Sequence, residues 1–131
     1  MIETCTLIAL SAIKPAVAQR FAINPEQTLR QDLGLIVEAV GHLDRSRSDG
    51  GACDGISYLG DGVILFRRTG NRRENFTLAH ELGHWLVDQT DDIYDMLAPC
   101  DDAAKMLESV CDRVAQALLL GCSFLRGVVL H

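Results

Sequence analysis

A chain of 131 residues with 48% apolar and 23% charged residues has the length and composition of one globular domain, not of a fibrous or disordered protein. Its formal net charge of −6 argues against a stand-alone nucleic-acid binder, and no apolar run approaches the roughly 18 residues of a membrane span. The cysteines Cys5, Cys53, Cys100, Cys111 and Cys122 are odd in number and lack a C-x-x-C pair, which suits thiols in a reducing compartment better than a disulfide framework.

Residues 5–13 are apolar and Ala16-Val17-Ala18 has the form of a leader cleavage site. The only charge ahead of that run is Glu3, however, and Lys14-Pro15 interrupts it, so a helix within residues 8–22 of a cytoplasmic protein is expected instead. Asn24-Pro25-Glu26-Gln27 supplies an N-cap, a proline at N1 and a glutamine at N3, predicting a short helix from Pro25 to about Leu33 that stops at Gly34. The stretch Leu35 to Val40 fits helix continuation or a strand; Gly34 and the β-branched residues favour the strand. From Gly41 to Gly55 a polar, glycine-rich loop is long enough to cover a site, with His42 at its start as a surface residue or a catalytic donor. Ile56 to Leu59, a turn at Gly60-Asp61-Gly62, and Val63 to Arg67 read as a β-hairpin. The expected fold is α+β: a small three-stranded antiparallel sheet packed on helices, in a single domain over residues 1–131.

After the hairpin, Phe76, Leu78, Ala79, Leu82, Leu86 and Val87 form a helical apolar stripe with no proline between Arg73 and Val87. On that helix lies His80-Glu81-Leu82-Gly83-His84, an H-E-x-x-H run. Residues four apart share a helix face, so both imidazoles reach one metal ion, and Glu81 stands near the open coordination position, where a carboxylate can take a proton from bound water. A structural zinc site, or two half-exposed histidines without metal, would leave the same pattern. Residues 102–120 read as a second helix, with Asp101 or Asp102 as N-cap and Gly121 closing it. Along its apolar edge, Glu108 and Asp112 sit four apart. They are either a solvated pair beside Arg113 and Lys105 or the third ligand and the hydrogen-bond partner of a ligand histidine.

Arg73-x-x-Phe76-Thr77-Leu78-Ala79-His80-Glu81-Leu82-Gly83-His84, followed by Glu108-x-x-Cys111-Asp112-x-x-Ala115-x-x-Leu118-Leu119, resembles the ImmA/IrrE family of bacterial and phage metallopeptidases over about residues 25–120. More broadly it is similar to the gluzincin pattern. The resemblance implies a zincin-like minimal core with His80, His84 and Glu108 as metal ligands, Glu81 as general base and Asp112 orienting a ligand histidine. It also implies a site-specific zinc endopeptidase that cuts a regulatory protein, typically a helix-turn-helix repressor, in stress response or mobile-element induction. The alternative is a catalytically silent, zinc-stabilised binding module in a regulatory or toxin–antitoxin-like pair. Two imidazoles and a carboxylate suit Zn2+, and Mn2+ or Fe2+ fit similar sites.

An oxyanion donor is open among Tyr94, His42, Arg73 and Arg113. The hairpin edge is expected to hold an extended peptide. Arg67, Arg68, Arg72 and Arg73 form a basic cluster ahead of the motif and Asp88, Asp91, Asp92, Asp95, Asp101 and Asp102 an acidic one behind it; each is a solvated surface by default, and the basic one is a candidate selector of acidic segments. Residues 122–131 carry Phe124, Leu125, Val128, Val129 and Leu130, for the core or for a partner.

Overall fold

A computed structural model describes residues 1–41, 43 and 54–120. His42, Cys53, most of the 41–55 loop and the 122–131 tail lie outside the described residues.

The N-terminal segment forms two helices where one was expected, α1 (Ile2–Leu10) and α2 (Pro15–Ile23). Pro15 explains the break. Its ring lacks an N–H and forces Lys14 into extended backbone (ψ 140°), so no helix passes through, and the proline instead occupies the first turn of α2. Asn24 then caps α3 (Pro25–Gln31) as the sequence predicts: its side chain accepts from Gln27 N–H at 3.2 Å and donates to Gln27 Oε1 at 3.0 Å. The end of α3 is closed by Gly34 at φ +68°, and the Leu35 N–H returns to the Leu29 carbonyl at 3.0 Å.

Strands β1 (Ile36–Val40), β2 (Gly55–Tyr58) and β3 (Val63–Arg67) form a three-stranded sheet in the order β1-β3-β2. The hairpin β2–β3 is antiparallel, with Leu59–Asp61 as a single 3-10 turn and Gly62 left-handed at φ +65°. β1 runs parallel to β3, so the antiparallel expectation holds for the hairpin and not for this pair. The reason is topological: the chain leaving β1 reaches the far side of the sheet before β2 begins, and β3 folds back between the two, pointing along β1. Val37, Ile64 and Phe66 turn to the helices and are buried, and Gly55 and Ser57, paired with Phe66 and Ile64, share that face.

Helix α4 (Asn71–Asp88) lies on this face and carries the H-E-x-x-H run. It buries Leu78, Ala79, Leu82, Leu86 and Val87, each large side chain contributing about 1.5–3 kcal/mol. Its start is fixed by Gly70 at φ +74°, whose N–H donates to Glu74 Oε1 at 3.2 Å. A short helix, α5 (Asp91–Leu97), follows; Ile93 and Leu97 bury one face of it. α6 (Ala103–Leu120) begins with Asp102 as N-cap, its Oδ1 accepting from Lys105 N–H at 3.2 Å. Val110, Cys111, Val114, Ala115 and Leu118 pack it against α4 and the N-terminal helices. Among the described residues no single helix is long and apolar enough to cross a membrane.

Candidate metal centre

Helical spacing places His80 and His84 one turn apart on α4, with ring centroids 5.0 Å apart and planes at 74°. Both rings face α6. The Glu108 carboxylate lies between them: Oε2 is 2.7 Å from His80 Nε2 and Oε1 is 3.5 Å from His84 Nε2. One turn further along α6, Asp112 Oδ1 sits 2.7 Å from His80 Nδ1. The three residues His80, His84 and Glu108 each offer one donor atom, all within 4.8 Å of one another, and form a cluster that can hold a divalent metal.

The hydrogen bonding makes the case for a cation stronger than proximity alone. A carboxylate only accepts, so His80 Nδ1 carries the proton donated to Asp112, and in a neutral ring Nε2 is left with a lone pair. That lone pair faces Glu108 Oε2 at contact distance, which is repulsive unless a proton or a metal ion neutralises it. Oε2 is itself buried and has no aligned hydrogen bond, despite its short contact with the ring. The titration behaviour has the same sense. Burial of His80 opposes its charge, yet the Glu108 contact and the charges of Glu81, Glu108 and Asp112 outweigh it and raise its pKa. Contacts from His80 and His84 hold the Glu108 carboxyl far below the usual range. The site is built for positive charge between these side chains. Zinc–nitrogen and zinc–oxygen bonds of about 2.0–2.2 Å put tetrahedral donors roughly 3.3 Å apart, close to the 3.5 Å between His84 and Glu108, whereas the 2.7 Å between His80 and Glu108 is a direct contact.

Cys111, three residues after Glu108 and next to Asp112, stays a neutral thiol, because burial and then the charges of Glu108, Glu81 and Asp112 push its pKa up. Its role is spatial. A Cβ at Gly83 would stand 3.1 Å from Cys111 Cα and from its carbonyl oxygen, so the glycine inside the motif is what lets α4 and α6 approach. A glycine in the middle of a helix costs about 1 kcal/mol relative to alanine, and that cost was the signal in the sequence that a close crossing occurs here.

Glu81 reaches the sheet and is 6% exposed. Ser57 Oγ on β2 donates to its Oε1 at 2.5 Å. Neither Ser57 nor Gly55 stood out in the sequence, since a G-x-S alternation in a short strand carries no local signature.

Tyr94 donates to Asp88 Oδ1 at 3.2 Å, and burial together with Asp88 pushes its phenol up to about 12. Arg73 is paired with Asp54 at 2.6 Å and 2.7 Å, Arg113 is an exposed residue of α6, and His42 is outside the described residues. The structure thus singles out no oxyanion donor from the four. The basic cluster is largely engaged within the chain: Arg67 and Arg73 meet Asp54, and Arg68 bridges Glu26 at 3.2 Å and Glu74 at 3.0 Å while stacking on Phe66. These pairs tie the start of β2 and the start of α3 to the first turn of α4.

Comparison of the chain with protein-family models, with curated proteins and with solved structures finds no match. The arrangement is therefore described by its own geometry, an H-E-x-x-H triad completed by a glutamate on a following helix, in a zincin-like packing of helices on a small sheet.

Proposed function

We propose that this chain is a zinc-dependent endopeptidase, of the ImmA/IrrE type that its motif residues resemble, hydrolysing a peptide bond in a regulatory protein. The observation that carries the reading is the relay Asp112–His80–Glu108, with His84 completing the donor set and Glu81 next to a ligand on the same helix. A zinc ion held there would acidify a water molecule and polarise the scissile carbonyl. Glu81 would serve as the proton carrier at the scissile bond, accepting a proton from the attacking water as the C–O bond forms and delivering it to the amine nitrogen as the C–N bond then breaks. Asp112 keeps His80 in the tautomer whose Nε2 is free to ligate. Among the described residues β2 is the edge strand of the sheet, and an extended substrate segment can add beside it as a further strand next to α4. A helix-turn-helix repressor, met in the cytoplasm, is the substrate class that the family resemblance supports. Mn2+ or Fe2+ would fit the same donors.

The test separates this reading from that of a zinc-stabilised binding module. Zinc-loaded wild type and Glu81→Gln are incubated with a pooled peptide library and cleavage is read by mass spectrometry. Equal zinc content with cleavage reduced by about 10²–10⁴-fold in the variant is expected. Equal cleavage by the two proteins would remove Glu81 as the base, and no cleavage by wild type would favour the binding module.

A further inference from the structure

The strand beside the motif helix is shaped around one side chain. Ser57 presents its hydroxyl to Glu81 Oε1, and two residues earlier on the same face stands Gly55. A Cβ at Gly55 would lie 2.6 Å from Thr77 Cγ2, 3.1 Å from Glu81 Cγ and 3.3 Å from Glu81 Oε2. Any other residue at position 55 would therefore meet the Thr77 methyl first, and would push β2 off α4 or displace the Thr77 and Glu81 side chains. The glycine makes a notch, the carboxylate lies in it, and the serine holds one oxygen.

We infer that Ser57 is a positioning residue for Glu81, with Gly55 the notch that admits the carboxylate against β2. The inference rests on the endopeptidase reading for its functional meaning and on the packing of β2 for its geometry. A glutamate has three rotatable side-chain bonds, and a base that must reach both a water molecule and a leaving nitrogen loses rate when those bonds are unconstrained. Burial alone does not select an orientation, because a carboxylate removed from water requires partners wherever it points. The hydroxyl supplies a partner from the sheet. A displacement of β2 would then move the base with it.

The experiment uses the full chain as wild type, Ser57→Ala and Ser57→Thr, with Glu81→Gln to assign the Glu81 signal. Carbon-13 NMR of protein labelled at the glutamate carboxyl reports six side chains, Glu3, Glu26, Glu38, Glu74, Glu81 and Glu108. In metal-free protein the Glu81 signal is expected to move in Ser57→Ala while the other five hold, and to return in Ser57→Thr, which keeps the hydroxyl. After loading, zinc per chain is expected to be equal in all three proteins. On the best-cut peptide of the pooled library, kcat is expected to fall about tenfold in Ser57→Ala with KM little changed, and to recover in Ser57→Thr. An unmoved Glu81 signal in Ser57→Ala overturns the inference. So does a change spread over all six signals or a loss of zinc, either of which would make Ser57 a packing residue. If zinc-loaded wild type cuts no peptide, the endopeptidase reading falls, and the carboxyl signal still decides whether Ser57 holds Glu81.

Discussion

His80 is the residue on which the site turns, because it is held from both ends. Nδ1 meets Asp112 and Nε2 meets Glu108, each at 2.7 Å, and the ring is almost fully buried. Two carboxylates around one imidazole are tolerable only if positive charge resides there, which is why the ring's pKa rises although its burial works the other way. Asp112 touches the ring and is not one of the three donors. Removing its charge while keeping its shape tests that role: Asp112→Asn should weaken zinc binding by about 10–100-fold without unfolding the protein. Competition against a chromogenic chelator measures it, and unchanged affinity would show that the tautomer is fixed by something else.

At the scale of elements, the centre is the meeting of α4 and α6, and Gly83 sets their separation. Intrinsic helix propensity favours Gly83→Ala by about 1 kcal/mol, whereas the contacts of 3.1 Å to Cys111 Cα and its carbonyl oxygen oppose it. The clash involves backbone, which cannot swing aside, so the variant should lose about 1–3 kcal/mol in urea unfolding and bind zinc more weakly as Glu108 is pushed from the histidines. A stabilised variant with intact zinc affinity would contradict the close-crossing account. These elements also show what the sequence makes legible. The capped helix α3, the hairpin and the two long helices are written in local signals: Asn24 and Gln27, Gly62, the apolar stripe of α4, and Asp102. The donor triad was readable because helical spacing fixes His80 and His84, and Glu108 is the only glutamate after them. The break at Pro15 is a local signal too, although one helix was expected there; the helix α5 and the parallel β1–β3 pair were not read, because each depends on how segments pack. The same holds for Ser57 and Gly55, whose meaning comes from a contact 24 residues away in sequence.

For the whole molecule, the arrangement is a small sheet that backs one long helix, which a second long helix crosses, with the donor cluster between the two long helices. Arginine pairs at the head of α4 fasten the sheet and α3 to it, so the strand bearing Ser57 and the helix bearing Glu81 are joined at Asp54 as well as at the site. A metal ion binding the folded donors and not the unfolded chain would add stability by mass action, about 2.7 kcal/mol at a free concentration one hundred times its Kd. The central claim is that His80, His84 and Glu108 hold one divalent ion between α4 and α6. Elemental analysis of metal per chain, on wild type, His80→Ala and Glu108→Ala in parallel, addresses it most directly. About one zinc in wild type, falling sharply in both variants, is the expected result. Full zinc content in Glu108→Ala would place the third ligand elsewhere, and none in wild type after reconstitution with zinc would contradict the account.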